Sequence, residues 1–202
     1  MPEAQPQATK EPATRASRGA RERVLAAALD LFAEHGVSGT SLQMIADRIG
    51  VTKAAVYHQF NTKEEIVLGV LAPALDSLHR SIEEAESLAT PGERRESMLI
   101  ALVQLAVGHR RLAAILRADP AAAELARSHP ALDVGDRIRS LFVGPNPDVR
   151  ADVAGAMVGG ALMMIGAAPE LERYADDELA EHLLELAREL LGRHAAIEPG
   201  ER

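Results

Sequence analysis

Cysteine is absent from this chain of 202 residues, which removes disulfides, thiolate zinc sites and cysteine nucleophiles and suits a reducing compartment. Aromatics are scarce. With no Trp, two Tyr and three Phe, a core has to be built from Leu, Ile, Val, Met and Ala. No Gly-rich phosphate loop, G-x-S-x-G elbow or H-E-x-x-H pair occurs, so catalysis has no residues to carry it. His79 and Glu83 have the i, i+4 spacing of metal ligands, but no third ligand converges on them in the sequence; a solvated helix face accounts for the pair, and neither metal nor cofactor is expected. The longest charge-free run, 153–169, spans 17 residues and holds four glycines, which fits a buried helix better than a membrane span. The first twenty residues lack the apolar stretch of a signal peptide, so a cytoplasmic location is expected.

What is present is apolar content of 47%, enough for a core, and a net charge of −8 that is unevenly spread. Residues 1–63 hold eight of the 22 Lys/Arg and six of the 30 Asp/Glu, a net of +2; the remaining 14 and 24 leave 64–202 at −10. That asymmetry points a polyanion at the N-terminal end.

Residues 40–65, TSLQMIADRIGVTKAAVYHQFNTKEE, read as two short helices hinged at Gly50 with a third beginning almost at once, the shape of a helix-turn-helix DNA reader. Ser41 or Thr40 caps the first, whose Leu42, Ile45, Ala46 and Ile49 recur at helical spacing. Gly50 suits a left-handed turn, and Thr52 offers its oxygen to the free N–H groups of the second helix. There Val56 and Phe60 face inward, leaving Lys53, Ala54, Ala55, Tyr57 and His58 outward. Lys53, Ala54 and Ala55 occupy the first turn, which enters the major groove most directly: Lys donates to guanine O6/N7 and Ala methyls meet a thymine methyl.

This stretch resembles the TetR family of bacterial transcriptional repressors in Gly36, the Ile45-Ala46 pair, Gly50-Val51-Thr52, Tyr57 with Phe60, and Lys63-Glu64-Glu65 opening the next helix. The resemblance covers about 21–70. It implies that Gln43 touches a base edge, as an alternative to lying on a solvated face, and that Thr40, Ser41, Thr52, Tyr57, His58 and Lys63 hold phosphates, with packing the alternative for Tyr57. Gln59 stands where the family commonly has His or Tyr. It also implies a homodimer on palindromic double-stranded operator DNA, released by an unknown small-molecule effector.

Around that segment the chain reads as all-helical. Residues 1–20, rich in Pro, Ala, Thr and Gln, form a flexible arm, either a solvated tail or one that uses Arg15 and Arg18 on DNA. Residues 21–66 are the three-helix DNA-binding domain, beginning with an amphipathic helix that stops at Gly36, and 67–202 a helical ligand-binding and dimerisation domain. A long helix from Asn61 or Thr62 toward Leu88 contains Pro73, where a kink is expected, and Thr90-Pro91-Gly92-Glu93 opens another. The effector pocket is expected among 66–143, with Met98 and Leu102 in an apolar lining and His79, Gln104, His109 and Arg117 as polar anchors, so that an apolar or amphipathic effector fits. In the last two helices, Ala154, Gly155, Val158, Gly159 and Leu162 on one and Leu179, Leu183, Leu186 and Leu190 on the other form either an internal core or, as the family pattern favours, a dimer interface. The expected function is a ligand-responsive repressor. An activator, or a helical small-molecule binding protein without a DNA role, remains open.

Overall fold

The computed structural model describes residues 11–130, 133–144, 147–165 and 168–192, with side chains from Arg18 onward except at 127 and 192, and these residues contain helices and no strand. They divide into two units, with the boundary between Val70 and Leu71.

In the first unit α1 (Glu11–Gly39) is interrupted at Gly36, where φ is 72°. Helical geometry thus begins ten residues ahead of Arg21, within the segment expected as an arm; residues 1–10 lie outside the described residues. α2 (Leu42–Ile49) is capped by the Ser41 side chain, which accepts from the Met44 N–H. It ends at Gly50 in the left-handed region (φ 69°, ψ 36°), a conformation that costs a side-chain-bearing residue roughly 1–2 kcal/mol. α3 (Lys53–Gln59) follows on a Thr52 cap that accepts from the Ala55 N–H. Val24, Ala28, Leu31, Phe32, Ile45, Ala46, Val56, Phe60 and Ile66 are buried in this unit. Gly69, on the opening turns of α4 (Lys63–Ser87), marks a close approach: a Cβ there would lie 2.8 Å from Leu25 Cδ2 and 3.2 Å from Phe60 Cε1.

α4 starts on two local contacts. The Glu65 N–H donates to Thr62 Oγ1 at 3.1 Å, and the Glu65 carboxylate reaches back to the Asn61 N–H at 2.8 Å. That backbone bond and the Asn61 side-chain amide hold the carboxyl below the ordinary glutamate range. The helix runs unbroken through Pro73.

In the second unit α5 (Pro91–Gly108) is central, packing against α8 (Gly135–Val143), α9 (Val149–Met164) and α10 (Asp176–Gly192); α6 (Arg110–Ala118) and α7 (Pro120–Ser128) pair with each other. Ile82, Met98, Leu99, Val103, Phe142, Val158 and Leu162 belong to its core. Asp148 caps α9 through the Ala151 N–H.

α5 opens on a reciprocal capping box: Thr90 Oγ1 accepts from the Glu93 N–H, and Glu93 accepts from the Thr90 N–H. The Thr90 hydroxyl, and then its N–H, hold the Glu93 carboxyl below the ordinary range. A depressed folded value means the contribution is complete above the unfolded glutamate value, about 4.3, and is lost as pH falls through the folded one. Glu93→Ala should therefore be less stable than wild type near neutrality, with the gap narrowing on acidification below about pH 4; urea midpoints of both proteins across that range check it.

Candidate nucleic-acid interface

α3 has one buried side chain beneath it and a largely exposed outer face. Val56 is fully buried, whereas Thr52, Lys53, Ala54, Ala55 and His58 are exposed and Tyr57 is 45% exposed. The fully buried Val56 fixes the helix's rotation, so the outward residues form one surface. Lys53 Nζ lies 5.6 Å from the Tyr57 ring centroid, one helical turn away, which steers the ammonium along the exposed face. At the other end Gln59 Nε2 lies 3.4 Å from His58 Nδ1; with Nδ1 as acceptor, the His58 Nε2–H becomes an outward donor. These positions match a first turn that meets bases and a last turn that meets phosphate. On α2, Gln43 is exposed but its amide donates to Asp47 Oδ1 at 2.7 Å, so bidentate pairing with adenine requires that bond to open.

Two residues expected on phosphate are placed elsewhere. Thr40 is only 2% exposed, and its hydroxyl is shared between Gly36 O (2.7 Å) and Leu31 O (3.2 Å), where it closes the end of α1. Lys63 Nζ donates to Val37 O (2.9 Å), Thr40 O (3.2 Å) and Ser38 O (3.5 Å), so its three hydrogens bind the loop that leads into α2. Ser41 and Thr52 are exposed but engaged as caps, each with a further lone pair outward. Removing the ammonium takes its donor from the part-buried Thr40 carbonyl and one of two donors from that of Val37, and Lys63→Ala is expected to lower stability by about 1–3 kcal/mol. The folded protein should keep its DNA salt dependence, in contrast to loss of a phosphate contact; chemical denaturation and salt-dependent binding read the two separately.

Other cations of this unit, though exposed, also have partners within it. Arg48 forms a two-point pair with Glu34 at 3.1 and 2.7 Å. Arg21 donates to Gln59 O at 3.2 Å and lies 4.0 Å over the Phe60 ring, bracing α3 against α1. Neither bracing role is readable from spacing, since the partners are 14 and 38 residues away.

In the second unit the expected pocket residues do not come together. Met98 is a core residue and Leu102 packs against that core. His79 Nδ1 bonds its own helix at Leu75 O (2.8 Å), His109 joins α5 to α6, and Arg117 meets Met164 Sδ. Only Gln104 of the six lines a cleft of about 650 Å³ between α4 and α5, whose wall includes Leu88, Ile100 and Ala101 with Glu84, Glu93 and Glu96. Among the described residues no three His, Asp or Glu are grouped to hold a metal, and no single helix is long and apolar enough to cross a membrane.

The last two helices correct the expected interface residue by residue. Ala154, Val158 and Leu162 on α9 and Leu179 on α10 face their own core, and Leu183 packs partly against it. A Cβ on Gly155 would meet Val143 Cγ1 at 2.8 Å, so its small size serves an internal contact, while Gly159 faces open space. The exposed apolar stripe comprises Val149, Val153, Met157 and Met164 on α9, in place of the expected residues there, together with Leu186 and Leu190 on α10, which are two of the expected residues.

A capped two-helix corner that exposes one helix by its first turn and outer face has the geometry of a helix-turn-helix motif. Residues 24–70 match the family model described as bacterial regulatory proteins, tetR family. Over these residues the chain is similar to the DNA-binding domain of that family. The HTH-type transcriptional repressor KstR2 of Mycolicibacterium smegmatis is 31% identical over 117 residues, 57% of this chain and 54% of that protein. The chain spans about half the length of the KstR2 proteins it matches among curated relatives. Among solved structures, the ketosteroid transcriptional regulator KstR2 of Mycobacterium tuberculosis superposes with a TM-score of 0.67 at 23% identity, covering 86% of this chain and 93% of that one. FadR of Bacillus subtilis in complex with stearoyl-CoA gives 0.61 at 19%, with 82% and 96% covered. Both show likeness of fold.

Proposed function

We propose that this protein is a homodimeric transcriptional repressor that reads a palindromic operator through α3 and is released by a small effector held in its second unit. The observation that carries the DNA half is the exposed Lys53–Ala54–Ala55 first turn over a fully buried Val56. In this reading Lys53 and the two alanines read bases, Gln43 adds a base-edge contact once it leaves Asp47, and Ser41, Thr52, Tyr57 and His58 hold phosphate. The dimer half is supported by the apolar stripe on α9 and α10, which in a lone chain leaves Met157 55% and Leu186 58% exposed. Two readers joined this way enter successive major grooves about 34–36 Å apart, and an effector that favours a different spacing lowers affinity by the coupling between the sites. The cleft of α4 and α5, apolar on Leu88, Ile100 and Ala101 and acidic on its rim, favours an amphipathic effector.

The deciding experiment is a gel shift of the full chain against the DNA upstream of its own coding region, competed with random duplex. Specific retention at salt near 150 mM, where non-specific affinity is about 10⁻⁴–10⁻⁶ M, is the expected outcome. Equal competition by random duplex would leave a helical ligand-binding protein without an operator.

A further inference from the structure

The structure engages three cations of the first unit with partners inside that unit: Arg21 with Gln59 and Phe60, Arg48 with Glu34, and Lys63 with three carbonyls. With a net of only +2 over residues 1–63, each remaining cation matters more. Arg23 is one of them. It is exposed on α1, and none of the described residues bonds or pairs with it. Its position is informative because, with Ala55, His58 and Gln59 of α3, it lines a small cleft of about 190 Å³ floored by Val24, Ile49 and Val51. Arg23 therefore stands beside the last turn of the reader helix, on the same flank as His58.

A helix of about 10–12 Å diameter fills a major groove about 12 Å wide, so what flanks it laterally is the phosphate backbone on the groove walls. An unpaired guanidinium at that flank presents two parallel N–H donors with the geometry of phosphate oxygens, and no internal ion pair has to be broken first. Arg21, two residues earlier, does the opposite and fixes α3 to α1, so the flank is rigid where Arg23 projects.

We propose that Arg23 is a DNA phosphate contact that works with His58 at the C-terminal flank of α3 and supplies part of the electrostatic affinity that Lys63 does not. This contact rests on the operator-binding reading above. It carries no sequence information; it sets the docking depth and orientation of α3.

The test is fluorescence anisotropy of the full chain with operator and with random duplex at several salt concentrations between about 50 and 200 mM, for wild type, Arg23→Ala and Arg23→Lys, with melting curves alongside. Arg23→Ala is expected to keep the wild-type melting temperature and to weaken both duplexes by a similar factor. Its plot of log affinity against log salt should be shallower by about two units, one phosphate per protomer at about 0.9 each. Arg23→Lys should recover most of the slope, since a point charge still displaces the counterion. Wild-type binding with an unchanged slope in Arg23→Ala would overturn the contact and leave the operator reading standing. A loss confined to operator DNA would overturn it too, by making Arg23 a reader of bases. Absence of any specific binding by wild type would remove the operator reading and this contact with it.

Discussion

Met157→Asp combined with Leu186→Asp is expected to give a folded monomer that has lost most of its operator affinity. Both side chains are more than half exposed in the single chain, so their replacement leaves the core of Met98, Val103, Val158 and Leu162 intact, and surface changes of this kind usually cost within about 0.5 kcal/mol. In a dimer the same positions lie in an apolar seam, where carboxylates have no partner and lose their water. The effect on DNA follows from linkage. Two readers joined in one dimer bind the second half-site as an intramolecular step, worth about 10²–10⁴-fold in affinity, and a monomer forfeits that gain. Sedimentation velocity reads the assembly and anisotropy reads the DNA. An intact dimer at low micromolar concentration would move the interface off α9 and α10. Gly159→Leu serves as the contrast: its Cβ position meets no other atom in the chain and lies off the exposed stripe, so this substitution should leave the dimer in place.

Lys53→Ala is expected to act on discrimination instead of on overall affinity. Lys53 is the first residue of α3, exposed and, among the described residues, paired only with the Tyr57 ring one turn on, so the ammonium reaches a base edge without breaking an ion pair. A good guanine contact is worth about 1–3 kcal/mol against the wrong base. Replacement should therefore cost about 5- to 150-fold on the operator, with a much smaller loss on random duplex. Competition with operators changed at one base pair locates the contact: wild type should penalise the change and Lys53→Ala should ignore it. Similar losses on operator and random DNA would return Lys53 to the phosphates.

The contrast among Lys53, Lys63 and Arg23 shows where reading a sequence stops. All three are cations near a helix start or on an amphipathic helix, and their neighbours along the chain do not separate them. Lys63 is separated from its carbonyls by 23 to 26 residues, and only the return of α4 past the end of α1 brings them together. Thr40 and Ser41 pose the same difficulty at one step's distance. Either hydroxyl fits an N-cap by composition, and the turn at Gly36 decides that Thr40 points inward and Ser41 caps α2.

Local order in this protein was determined by the sequence itself, because the interactions that produce it span three or four residues: the Ser41, Thr52 and Thr90 caps, the left-handed Gly50, and the Ile45, Ala46 and Val56 inner faces. The reader helices and their outward residues were legible for that reason. What the tertiary structure alone decided was rotation and partnership. α9 is apolar or small on nearly every side, so its pattern carries no phase, and packing against α8 and α5 selects Ala154, Val158 and Leu162 as the inner face and leaves Val153 and Met157 outside. The expected pocket residues scatter for a related reason: Met98 and Gln104 lie on one helix, and only its orientation in the bundle sends one into the core and the other to the α4–α5 cleft. A helical pattern states which residues share a face, and only contact with other helices states what that face meets.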